Sequence, residues 1–489
     1  MALKKEFAKD VVIYGLGNGL KKFIGIFLLP FYTRALTPAD YGILNTLATF
    51  MMFGAAFLNI GLDSAAGFYF FKATESEEQK GKVLFTLFTI RLFTFIPSLL
   101  PAFFSREISS ALFGTESYSL IICITLLLIP INLLMSEQSH VYRYYRKPWQ
   151  YNVITITKSL TNIAFGITLV VVLSYGVLGA MTARLLSSLI VVVGSFFLFT
   201  RKKYTYQFSW YWAKRMLSFG FPLIWAGIAT WVFNSSDRFF LLHYSNLTEI
   251  GWYSIGNTFS QPILLINMAV QMSFGVLFFK TFNEETDEKK PHSRKMAIDS
   301  FKLYLVVSIS IALFLSVFSI ELLKIITTTD YIRGALAVPF MTFSFIAMQA
   351  YQTMGPGISL AEKTYHYTWI TLLTALVNIG LNFLFIPRYG FVGAAIATLI
   401  SYLCYWLVKF AISQKYFPIK YKILGITIYY ISGFFISCSV PFLNQLLHVH
   451  IAFYIKVLLF VSGLLLPILL GLVNGNDLKK MMILFKHRG

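Results

Sequence analysis

Charge is scarce in this chain: Asp, Glu, Lys and Arg together make up 13% of its 489 residues. A soluble domain covers itself with charge, so a composition this poor in it, 57% hydrophobic and 17% aromatic with a mean hydropathy of +0.68, excludes one. Cysteine is nearly absent too. Cys123, Cys404 and Cys438 are odd in number, far apart and inside apolar runs, which excludes a disulfide framework and leaves them as small core residues. Loops long enough to hold a folded aqueous domain are missing. So is a signal-peptide cleavage site: the apolar stretch after the basic head Met1–Asp10 is too long for a signal core, and the first span is expected to be retained.

What is present is lipid-compatible sequence from end to end. Apolar runs of about 20 residues, each enough for a hydrocarbon core of about 30 Å at about 1.5 Å per residue, recur throughout. They predict spans near 11–34, 41–62, 81–104, 117–137, 151–174, 176–199, 215–244, 250–279, 298–325, 333–356, 366–386, 390–411, 421–441 and 451–473. Lys and Arg crowd the head, every second loop and the tail, and are sparse in the alternate loops, which places both termini in the cytoplasm. The formal net charge of +20 is then topogenic, and nucleic acid is not an expected partner.

The chain also resembles itself. RKPWQYNVI (146–154) aligns with EKTYHYTWI (362–370), Asn162 falls on Asn378 at the same offset, and YGVLGAMTA (175–183) matches YGFVGAAIA (389–397). Leu36-Thr37 and Gly42 echo Leu247-Thr248 and Gly251. These offsets carry span 1 onto span 7 and spans 5 and 6 onto 11 and 12. The expectation is an all-α polytopic membrane protein of about 14 transmembrane helices: two six-helix bundles related by a pseudo-two-fold along the membrane normal, residues 1–213 and 214–412, with helices 13 and 14 appended in 413–489.

Most basic residues lie in loops and ends. Lys302 and Lys456 lie near boundaries and are read as snorkelling. Lys21, Lys22, Arg91, Lys158 and Arg184 are deeper. A central cation costs about 2.5–3.5 kcal/mol on insertion scales, so either it faces a wet cavity or it snorkels and pairs with backbone carbonyls. With no carboxylate evident at that depth in spans 1–6, an anionic ligand would complete the site. Arg91, midway along span 3, is the leading candidate. Asn162 shares a helix face with Lys158. Asn257, Gln261, Asn267 and Gln271 form an amide stripe on span 8, suited equally to sugar hydroxyls and to interhelical hydrogen bonds. Asp237 and Arg238, in the outer third of span 7, read as a coupling or gating element or as a local pair. His448 and His450 flank a short outer turn that reads as solvent-exposed. No carboxylate pair, nucleophile triad or metal cluster is spaced for catalysis, and neither a metal nor a cofactor is expected.

Three stretches carry a likeness to a known family. They are LLPFYTRALTPADYG (28–42), Asp237-Arg238-Phe239 followed by Gly251-Trp252-Tyr253-Ser254, and the turn Tyr389-Gly390 with Gly393-Ala394-Ala395. In these the chain resembles the polysaccharide-biosynthesis flippases of the Wzx type, within the multidrug/oligosaccharidyl-lipid/polysaccharide exporter superfamily, over essentially its whole length. The resemblance implies a non-enzymatic flippase in the bacterial inner membrane. It would carry an undecaprenyl-diphosphate-linked repeat unit from the inner to the outer leaflet for O-antigen (lipopolysaccharide), capsule or exopolysaccharide assembly, by alternating access through a cationic central cavity. The implied partners are the polyisoprenyl-diphosphate-linked saccharide, membrane lipid, a polysaccharide polymerase and chain-length proteins. A lipid-linked peptidoglycan-precursor flippase and a cation-coupled drug exporter of the same superfamily are the alternatives. The sequence leaves the saccharide and the coupling ion open.

Overall fold

In hydrocarbon every backbone N–H and C=O must find its partner inside the chain, and a helix does this locally. The computed structural model, which describes Ile13, Gly17, Gly19 and residues 27–73, 76–287, 289–447, 449 and 451–473, is accordingly helical, with no strand among those residues. Eleven of its helices are long and apolar enough to cross a membrane. One of them, Tyr365–Tyr416, carries two of the expected spans, joined across Gly390 (φ 56°, ψ −135°). A shorter apolar helix, Phe453–Leu469, occupies the place of the last span, and a helix over residues 27–35 is the described end of the first.

Packing divides the chain into two units, Met1–Gly251 and Trp252–Gly489. In unit 1, α1 (27–35) leads into α2 (Pro38–Asn59) through a capping box: the Thr37 hydroxyl accepts from the Asp40 amide, the Asp40 carboxylate accepts from the Thr37 amide at 3.0 Å, and Pro38 fills the first turn. The Thr37-Pro38-Ala39-Asp40 motif is thus a helix start. Gly42 and Gly251 have an equally local reason. A Cβ on Gly42 would collide with the Leu247 carbonyl, and one on Gly251 with the Pro38 carbonyl, so the start of α11 (Leu247–Ser260) crosses α2 backbone to backbone.

After Asn59 the chain passes two left-handed residues, Ile60 (φ 50°) and Gly61 (φ 62°), then resumes as α3 (Leu62–Lys72). A Cβ on Gly220 would meet the Ile60 carbonyl, so α10 (Trp210–Tyr244) lies against this break. The remaining elements of unit 1 are α4 (Glu77–Phe93), α5 (Phe95–Leu99), α6 (Ser105–Phe113), α7 (Ser119–Tyr144), α8 (Pro148–Gly166, ending in a π turn to Val172) and α9 (Gly176–Leu198).

Unit 2 holds α12 (Pro262–Glu284), α13 (Pro291–Val317), α14 (Ser319–Ile326), α15 (Val338–Met354), α16 (Gly357–Leu360), α17 (Tyr365–Tyr416), α18 (Ile423–Gln445) and α19 (Phe453–Leu469). Of the candidate spans, the segment ending in α15 is the most enclosed, with 83% of its apolar window buried, and α13 and α17 pack against it. The appended pair lies on the same core: Tyr430 of α18 donates to the Phe343 carbonyl at 2.7 Å, and Gly433 and Gly463 sit against Ile309 and Leu313 of α13.

Candidate functional site

The expected lone cation at Arg91 has partners. Its side chain is fully buried, and Nη2 donates to Asp63 Oδ1 at 2.9 Å and to Asn59 Oδ1. His140 Nδ1 lies 3.9 Å from the same carboxylate oxygen, and Tyr144 donates to the Asp63 carbonyl at 3.0 Å. Glu137, also buried, is an electrostatic neighbour of Arg91 and accepts from Tyr204 at 3.1 Å. The premise that no deep acid accompanies Arg91 is therefore overturned. The physical reason is helix length: α3 carries Asp63 onward past the expected end of span 2 and back along α4, while α7 runs to Tyr144 and keeps Glu137 and His140 in helix. Asn59 and Asp63 flank the Ile60–Gly61 break, so Arg91 clamps that break from both sides.

Lys158 and Arg184 have neutral partners. Lys158, half-buried on α8, donates to Asn132 Oδ1 of α7 at 2.7 Å, and the Ser188 hydroxyl of α9 shares that oxygen at 3.3 Å. Arg184, half-buried on α9, makes a 3.8 Å contact to the Met181 sulfur and is close enough to Lys158 for their charges to repel. Neither joins an ion pair among the described residues.

Further along the same face of α8, the buried Asn162 Oδ1 has no hydrogen-bond partner among those residues. One turn on, Gly166 admits the Tyr32 ring of α1, whose buried hydroxyl is likewise unmatched and lies in the field of Arg184. The two cations and the unmatched Tyr32 hydroxyl, on α1, α8 and α9, are a donor set for an anion with several oxygens, and the Asn162 Oδ1 is an acceptor open to a hydroxyl. Sequence reasoning named Lys158, Asn162 and Arg184 but missed Tyr32 and Asn132, which carry no charge to flag them.

The amide stripe divides. Asn267 is buried and structural: it donates to the Phe345 carbonyl at 2.9 Å and accepts from Tyr304 at 3.1 Å. Gln261 sits at the junction of α11 and α12, with Asn257 half-buried before it and Gln271 exposed beyond it. Asp237 and Arg238 form a local pair at 3.0 Å, with Arg238 also donating to the Asn234 carbonyl at 3.2 Å. Lys21, Lys22, His448 and His450 lie outside the described residues.

Two buried cations of unit 2 were not anticipated as such. Lys456, read as snorkelling, is buried and paired with Glu321 of α14. Lys409, within the expected span 12 but not among the deep cations named from the sequence, is buried in a cage of tyrosines. No group of three or more His, Cys, Asp or Glu among the described residues is placed to hold a metal ion.

Comparison with known proteins bears on the family and the fold. The family model described as "Polysaccharide biosynthesis protein" matches residues 31–336, more than half of the chain. "Lsg locus putative protein 1" of Haemophilus influenzae is 27% identical over 305 residues, covering 60% of this chain and 71% of that protein. An uncharacterized membrane protein of Methanocaldococcus jannaschii is 22% identical over 205 residues, covering 40% of this chain and 38% of its own. Among solved structures, the lipid II flippase MurJ in an inward closed conformation superposes with a TM-score of 0.68 at 16% identity, covering 93% of this chain and 97% of that one. An inward-facing multidrug-resistance transporter of the MATE family gives 0.62 at 15% identity, covering 81% and 94%. At these identities the structures establish a shared fold.

Proposed function

This chain belongs to the polysaccharide biosynthesis protein family, and on that premise we propose that it moves an undecaprenyl-diphosphate-linked oligosaccharide from the cytoplasmic to the outer leaflet by alternating access, for assembly of a surface polysaccharide. One observation carries the reading. Lys158 and Arg184 are electrostatic neighbours within the helices of unit 1, outside any ion pair among the described residues, with the unmatched Tyr32 hydroxyl in the field of Arg184. A diphosphate supplies the charge and the acceptor oxygens that such a set lacks, and Arg adds a planar fork for bidentate contact.

In this reading the moving bodies are residues 1–213 and 214–412 with 413–489 appended, and α10 is the element on which the repeat and the packing divide differently. Both termini and the lysine-rich loops face the cytoplasm. Asp237 and Arg238 couple or gate, Asn257, Gln261 and Gln271 meet sugar, and Lys21 and Lys22 extend the cationic path. A polymerase and chain-length proteins of a bacterial inner membrane take the product onward as O-antigen, capsule or exopolysaccharide. A drug-export reading would call for deep carboxylates in place of these cations, and a peptidoglycan-precursor reading would share the diphosphate contacts but differ in the sugars.

Proteoliposomes loaded with fluorescent polyprenyl-diphosphate oligosaccharide test the proposal. The protein should equilibrate lipid between leaflets, measured by its accessibility to an impermeant quencher, without changing its mass. Accessibility no different from empty liposomes overturns it.

A further inference from the structure

At one end of unit 2 the termini of α12, α15 and α17 and the short α16 pack together. Phe278 and Phe282 of α12 meet Phe417, and the Gly357 amide of α16 donates to the Ser413 hydroxyl of α17 at 2.9 Å. Between them lies a cavity of about 240 Å³ lined by Gln271, Phe274, Tyr351, Gln352, Ser359 and Tyr367. It is somewhat smaller than the pockets of about 300–1,000 Å³ that take drug-sized ligands, and so matches a ring or two rather than a lipid chain. Its chemistry alternates aromatic rings with amides and hydroxyls, groups that both donate and accept.

Behind two of these residues stands Lys409. Its Nζ lies 3.9 Å from the ring centre of Tyr351, 4.7 Å from that of Tyr367 and 3.7 Å from that of Tyr405, whose hydroxyl it also meets. It joins no ion pair among the described residues. Packed against the ring faces of Tyr351 and Tyr367, the Lys409 side chain fixes the orientation of both rings where they line the cavity. The Tyr367 hydroxyl is oriented further by Ser359 at 2.8 Å.

We propose that this cavity is a sugar-recognition subsite, taking one or two rings of the transported saccharide between the tyrosine hydroxyls and the Gln271 and Gln352 amides, with Lys409 as the positioning residue. The proposal rests on the reading that the chain carries a lipid-linked saccharide. It adds a second, diphosphate-independent contact, at the end whose loops carry Lys289, Lys290, Lys363 and Lys415, the end that charge bias assigns to the cytoplasm, where such a substrate is loaded.

The test is saturation-transfer NMR on the purified full chain with methyl glycosides: glucoside, N-acetylglucosaminide and glucuronide. At least one should bind saturably. Tyr367→Phe with Gln271→Leu should weaken it tenfold or more, Lys409→Met should weaken it while Lys409→Arg restores part, and Gly194→Ala, with open space around it, should leave it unchanged. No saturable glycoside, or saturation indifferent to the cavity double variant, overturns the subsite. Glycoside binding in a protein that moves no lipid overturns the flippase reading and leaves the subsite standing.

Discussion

Removing the Arg91 guanidinium strips Asp63 and Asn59 of their shared donor and leaves the buried Glu137 without its neighbouring cation. Breaking one side of a buried ion pair costs about 3–5 kcal/mol. Asp63 keeps 26% of its side-chain surface, so the lower end applies, about 3 kcal/mol. That is roughly a hundredfold in a folding equilibrium. Arg91→Ala should therefore reduce abundance and lower the melting temperature in detergent, read by fluorescence-detected size-exclusion after heating. Asp63→Asn should do so less, and Arg91→Met combined with Asp63→Asn should recover part of the loss, because neither charge is then left alone. A stable, abundant Arg91→Ala protein with surface polysaccharide abolished would refute this reasoning and return Arg91 to the substrate path.

Three further outcomes are expected. Gly42→Leu should fail to accumulate, since its side chain would have to occupy the Leu247 carbonyl position, whereas Gly194→Ala, with open space around it, should express normally on immunoblots. In a chain with Cys123, Cys404 and Cys438 changed to Ser, Tyr175→Cys should react with an impermeant maleimide from outside and Lys289→Cys should not; the reverse pattern sinks the orientation. Lys456→Met alone should destabilise the protein by leaving Glu321 unpaired, and adding Glu321→Gln should restore heat resistance in the same melting assay.

The polytopic helical fold was legible because lipid imposes a single demand, apolar length, and each expected span has its helix among the described residues or, for the first, a described end. The depth of charges was harder to read. Asp63 lies one residue past the expected end of span 2, Glu137 at that of span 4 and Lys409 two residues before that of span 12, so none was weighed as a deep charge. In the fold α7 and α17 run on past these ends and α3 takes up Asp63 after the Ile60–Gly61 break, so the groups are enclosed by neighbours distant in sequence: Asp63 by Arg91 and His140, Lys409 by Tyr351 and Tyr367. Composition gives no view of such pairing. Lys158 and Arg184 were readable because nothing nearby in sequence answers their charge, and among the described residues no carboxylate pairs with either. The motif stretch Thr37 to Gly42 was recognised by likeness and is explained by a capping box and a backbone crossing.

The central claim is that Lys158 and Arg184 together hold the diphosphate during crossing. Its most direct test is the leaflet-accessibility assay on Lys158→Met with Arg184→Met, in a preparation matched to wild type in abundance, monodispersity and melting temperature. The account predicts that the double variant, folded and stable, still binds methyl glycosides but no longer moves polyprenyl-diphosphate oligosaccharide between leaflets. Transport at the wild-type rate by that variant would contradict it.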